Sequence, residues 1–140
     1  MKVMVLVKAT EKSEAGEMPS TEMLEAMGAY NEELVSAGIM LDGDGLRPTS
    51  QGVRIIQGGS QPEVVDGPFA ETKELLAGYW VWKVKDMDEA IEWARRAPNT
   101  GVDEGILELR PFVTAEDFGE ALTPELEAKE DELRNRTQGS

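Results

Sequence analysis

The chain contains no cysteine and no histidine in its 140 residues. Without cysteine there is no disulfide, no zinc–thiolate centre, no thiol nucleophile and no redox switch at sulfur. Without histidine there is neither the usual general base near neutral pH nor the commonest metal ligand, and no nucleophile triad can be assembled. Basic residues are scarce as well: 14 Lys and Arg stand against 28 Asp and Glu, a formal charge of -14. That balance disfavours phosphate backbones and anionic lipid, so neither nucleic acid nor membrane is expected as a partner. No apolar run approaches the roughly 20 residues of a spanning helix. The opening MKVMVLVKATEK is too short for a signal peptide and has no small-residue cleavage site. Gly58-Gly59 lacks the Lys-Ser/Thr pair and the following helix of a phosphate loop. The length suits one soluble, acidic, cytoplasmic domain with no metal and no cofactor.

What is there is a pattern of strands and helices. Residues 3–7 are apolar at every position, as a strand covered on both sides would be. Residues 9–19 are polar and read as a loop. Ser20 or Thr21 can cap a helix in which Met23, Leu24, Met27, Tyr30 and Leu34 follow three-four spacing, closed by Gly38. A second strand over 39–41 dissolves into Asp42-Gly43-Asp44-Gly45, and residues 53–57 with 63–65 form a hairpin. Residues 70–75 make one helical turn before a strong strand over 78–84. Asp86, with Glu89 three residues on, opens a second helix that Pro98 ends. A last strand covers 106–110.

This order of strands and helices, with a minor hairpin inserted, implies an α+β fold of the ferredoxin-like, split β-α-β kind over residues 1–113. Residues 114–132 hold eight acidic residues and one lysine, so 114–140 is expected to be a helical extension outside the main fold, frayed from Arg136 to Ser140. In a split β-α-β fold both helices lie on one face of the sheet. Yet alternation places Tyr79, Val81 and Lys83 opposite Trp80, Trp82 and Val84, and Ile106, Glu108, Arg110 and Phe112 opposite Leu107 and Leu109. Too much apolar surface remains on the second face for water, and a homodimer stacked sheet against sheet would bury it.

Asp66 is a candidate acid/base, or a turn residue whose carboxylate bonds to the amides that follow. Asp42 and Asp44 suggest a hard cation, but they lack the spacing of a calcium loop and read better as a solvated acidic loop. Arg47, Arg54, Lys73, Lys83 and Arg110 are basic residues in or beside strands. Turned into a barrel they would attract a small anionic molecule; otherwise Arg54, Lys83 and Arg110 pair with Glu108 and its neighbours. Tyr79 can donate a hydrogen bond on the same face but is a poor base at its ordinary pKa of about 10. The candidate site is therefore Asp66 for proton transfer, with Arg47, Arg54, Tyr79, Glu108 and Arg110 holding the ligand. Trp80, Trp82 and Trp93 read as core, and Phe69 as a core plug.

The segment Asp66-Gly67-Pro68-Phe69-Ala70-Glu71-Thr72-Lys73-Glu74, followed by Ala77-Gly78-Tyr79-Trp80, is closely similar to the signature of the DGPF group of the YCII-related family. Gly45-Leu46-Arg47-Pro48, Asp88-Glu89-Ala90-Ile91-Glu92-Trp93-Ala94 and Leu109-Arg110-Pro111 extend the resemblance to residues 1–119. It implies a ferredoxin-like fold pairing as a dimeric α+β barrel. Some relatives are encoded beside extracytoplasmic-function sigma factors, which implies an alternative, non-catalytic role as an accessory or regulatory protein. Certain members resemble enzymes built on a His–Asp pair, one of them a dehydrochlorinase. Here Ser36 stands where that aspartate is expected and there is no histidine, so the mechanism does not carry over.

Overall fold

The computed structural model describes residues 1–99 and 105–138. Strand β1 (Lys2–Lys8) is followed by a single helical turn, α1 (Glu11–Glu14), and the long helix α2 (Thr21–Ser36). Strand β2 (Met40–Gly45) leads through a 3-10 turn at Thr49–Gln51 into β3 (Val53–Ile56) and β4 (Glu63–Asp66). A second 3-10 turn, Thr72–Glu74, precedes β5 (Leu76–Lys83), α3 (Met87–Arg95) and β6 (Leu107–Pro111). Two further helices, α4 (Ala115–Phe118) and α5 (Pro124–Gln138), complete the described chain.

The fold is α+β. Four strands form one antiparallel sheet in the order β2-β5-β1-β6, while β3 and β4 form a separate two-stranded sheet. No sheet of the described residues closes into a barrel. The helices that follow β1 and β5 cover the same face. Tyr30 and Leu34 of α2 and Ala90 of α3 pack with Val3, Val5, Trp80 and Trp82 in one buried cluster. Both helix starts use the capping residue expected: Ser20 Oγ accepts from the Met23 amide at 3.1 Å, and an Asp86 carboxylate oxygen accepts from the Glu89 amide at 2.9 Å. Glu89 itself accepts from the Lys85 amide at 2.9 Å and does not close a capping box on Asp86. Gly38 ends α2 at a φ of +75°, a conformation in which a Cβ would be strained.

The aromatic residues lock the core together. The rings of Tyr30 and Trp80 meet edge to face at 5.8 Å, and the Tyr30 hydroxyl donates to the Trp93 carbonyl at 2.5 Å. Trp80 donates its indole N–H to Asn31 Oδ1 at 2.8 Å. The fully buried Trp82 finds no such acceptor among the described residues. That orphan costs about 1–3 kcal/mol, which the packing around it must offset.

Three expectations need correction. The polar stretch after β1 is not all loop, because Thr10 and Ser13 exchange hydrogen bonds in a capping box that starts α1. Strand β2 does not dissolve at Asp42 but runs on to Gly45, since pairing with β5 outweighs the low strand preference of Asp and Gly. Each aspartate there bonds to the next amide, Asp42 to Gly43 at 2.8 Å and Asp44 to Gly45 at 3.0 Å. Finally, helix α5 is still intact over Arg136, Thr137 and Gln138, where fraying was expected. Gly139 and Ser140 lie outside the described residues.

Candidate functional site

The face of the main sheet opposite the helices carries the side chains that alternate with the core residues. Strand register orders them in rows. Asp42, Val81, Met4 and Arg110 lie side by side across β2, β5, β1 and β6; the next row holds Asp44, Tyr79, Leu6 and Glu108. The centre of the face is therefore apolar, with Asp42 and Asp44 at the β2 edge and both Arg110 and Glu108 at the β6 edge. Met4, Leu6, Tyr79 and Val81 are only half-buried, although each sits in a strand with a paired neighbour on both sides.

Charges on this face are unevenly matched. Glu108 is taken by Lys8, Nζ to Oε1 at 3.5 Å. Arg110 and Lys83 make no ion pair with any described residue. The Tyr79 hydroxyl donates to Asp42 Oδ2 at 3.3 Å, and the Asp42 charge is the main cause that raises the phenol pKa above its ordinary value of 10.0. Tyr79 therefore stays protonated and acts as a donor, not a base.

The other candidate residues stand elsewhere. Asp66 ends β4 on the two-stranded sheet, opposite Val53, exposed and with no side-chain hydrogen bond or ion pair to a described residue. It does not cap its own turn. The Gly67 amide donates to the Gly52 carbonyl at 3.0 Å, the Phe69 amide donates to Thr49 Oγ1 at 3.1 Å, and Pro68 has no N–H to offer. Arg54 lays its guanidinium over the Phe69 ring, 3.8 Å from the centroid, so Phe69 is a stacking surface and not simply a core plug. Arg47 donates to Gln51 Oε1 at 3.3 Å. Arg47, Gln51, Arg54 and Phe69 line one cleft of about 650 Å³ between the hairpin and the end of the main sheet. The candidate residues thus form two groups, Tyr79, Glu108 and Arg110 on the sheet face and Arg47 and Arg54 at the cleft, with Asp66 in neither.

The group that holds this cleft in shape was not among the residues expected from the sequence. Glu14 accepts from the Thr49 amide at 3.0 Å and from the Thr49 hydroxyl at 2.5 Å, and the same hydroxyl accepts from Phe69. A Cβ on Gly67 would fall 1.8 Å from the Thr49 carbonyl oxygen, so only glycine fits the turn against that strand entry. Three segments separated by 35 and 20 residues are joined through one threonine. The only signal available in the sequence was the polar cap Thr10, which places Glu14 at the end of a helical turn. Among the described residues no group of carboxylates is arranged to hold a metal ion.

The model of the YCII-related domain matches residues 1–115. The chain belongs to the YCII-related family. An uncharacterized protein of Rhizobium meliloti is 34% identical over 86 residues, 61% of this chain and 69% of that protein. Within this YCII-related chain, both the sheet face and the cleft lie in the matched region. Helix α5 lies beyond it, with every residue exposed. No described helix is long and apolar enough to cross a membrane.

Proposed function

We propose that this YCII-related protein is a cytoplasmic homodimer that binds a small anionic or aromatic molecule between two stacked sheet faces, forming a dimeric α+β barrel from two ferredoxin-like domains. The observation that carries the reading is Arg110: an unpaired cation at the edge of an uncovered apolar face, in a chain with twice as many acids as bases. The charge layout supports a two-fold stack. With the axis along the strands, Asp42 of one copy lies over Arg110 of the other and Asp44 over the Lys8–Glu108 pair, whereas an axis across the strands would set the aspartates of the two β2 edges together. In that barrel Arg110 supplies the donors, the Tyr79 hydroxyl, which donates its own proton to Asp42, supplies an acceptor, and Met4, Leu6 and Val81 supply an apolar floor. The proposal is one of binding. Asp66 stands on the hairpin, away from the sheet that carries Tyr79 and Arg110.

Sedimentation velocity at micromolar concentration tests the dimer, whose interface should bury on the order of 1,200 Å² or more. A monomer refutes it. A thermal-shift screen of aromatic carboxylates at low salt tests the ligand, since binding to the folded state raises the midpoint by mass action. Arg110→Leu should abolish the shift of a face-bound ligand and, since Arg110 also faces Asp42 across the stack, weaken the dimer in sedimentation velocity. A second reading, an accessory protein working beside a sigma factor, rests on α5, a fully exposed, acid-rich helix available to a partner.

A further inference from the structure

We infer that the cleft beside the hairpin is a second ligand site, separate from the sheet face, and that it takes a planar aromatic carboxylate. Arg47 and Arg54 both line it, and neither makes an ion pair with a described residue. In a chain of net charge -14, two guanidiniums without an ion-pair partner in the lining of one cleft form a local exception to the overall field. Stacking on Phe69 occupies only the face of the Arg54 guanidinium; its N–H donors lie in the plane around the rim and stay free for a bidentate carboxylate. Leu46, Leu75 and Leu76 complete the lining with apolar surface that suits a ring. Glu74 on the same lining, together with the surrounding acidity, opposes a multiply charged anion such as phosphate. The wall is also built in advance: Thr49 holds the Phe69 backbone and is itself held by Glu14. Little ordering is then left for the ligand to supply.

The test is a titration of the full-length, nitrogen-15-labelled protein with benzoate and, separately, with inorganic phosphate. Benzoate should bind saturably and shift the Arg54 Nε–H resonance with the amides of Thr49 and Phe69. Loss of a charge-assisted bidentate contact should weaken it about 10- to 100-fold in Arg54→Leu, and Arg47→Leu, on a different segment from the hairpin, should weaken it by about 10-fold. Arg54→Lys should fail to restore affinity, because an ammonium cannot form the fork. Arg110→Leu should leave these shifts unchanged, which separates this site from the sheet face and from the fate of the dimer reading. Shifts confined to the sheet face and lost in Arg110→Leu, affinity unchanged in both Arg54→Leu and Arg47→Leu, or phosphate binding as tightly as benzoate would overturn the inference.

Discussion

Replacing Thr49 by valine removes one hydroxyl while keeping the shape of the side chain, and that hydroxyl serves two partners. It donates to a Glu14 carboxylate oxygen at 2.5 Å and accepts from the Phe69 amide at 3.1 Å. A hydrogen bond to a charged acceptor contributes about 1.5–3 kcal/mol and a neutral one about 1 kcal/mol when buried. Both are only part-buried, so water recovers some of that loss, and the net cost should be about 2 kcal/mol. The Thr49 amide keeps its own bond to Glu14, which limits the damage to the hairpin side of the joint. Two measurements read the outcome. The urea midpoint should fall by an amount equivalent to that free energy with an unchanged slope. Amide exchange at Phe69 should accelerate far more than exchange at Val5 or Trp82 in the core, because the opening is local. In a double-mutant cycle with Glu14→Ala the two losses should be strongly non-additive, since they remove the same contact. If Thr49→Val changes stability by less than about 0.5 kcal/mol and leaves Phe69 exchange as it was, the joint does not hold the cleft and the preorganisation argument fails.

Both tyrosines have raised pKa values: Tyr30 is pushed up to about 12 by burial, and Tyr79 is raised by the Asp42 charge. Unfolded tyrosine ionises near 10, so the folded state holds these protons more tightly; the stabilisation is complete below pH 10 and is lost as pH climbs through the folded values. Ultraviolet titration should show no tyrosinate with a midpoint at 10 in the folded protein, and a full equivalent there would contradict the assigned contacts. Deleting residues 124–140 removes a helix with no buried residue, whose ion pairs, such as Lys129–Glu132 at 3.9 Å, lie within the helix itself. The truncated protein should lose helical circular dichroism but shift its unfolding free energy by less than about 0.5 kcal/mol. A larger loss would show that α5 covers part of the assembled protein.

Much of the architecture was legible because it depends on local periodicity. The three-four spacing of Met27, Tyr30 and Leu34 and the two-residue alternation of Trp80 and Trp82 each name a buried face without reference to the rest of the chain, although Leu24, read on the same stripe, stands 58% exposed. Caps at Ser20 and Asp86 are equally local, each a side chain bonding three residues ahead. Where local preference and pairing conflict, the reading fails: Asp42-Gly43-Asp44-Gly45 looks like a turn, and only the neighbouring β5 makes it a strand.

The site divides along the same line. Composition alone excluded imidazole and thiolate chemistry, and alternation alone put Tyr79, Glu108 and Arg110 on one face. Which carboxylate meets which cation was decided by tertiary structure. Glu108 is adjacent to Arg110 in register but pairs with Lys8, so Arg110 is left unmatched. The same holds for the DGPF turn. Its residue types announce a turn, but its amides are claimed by Gly52 and Thr49, 15 and 20 residues away, so Asp66 is left in solvent and Phe69 lies beneath Arg54. Periodicity is a property of neighbours along the chain, whereas the partner of a charge or an amide is set by where distant segments are packed.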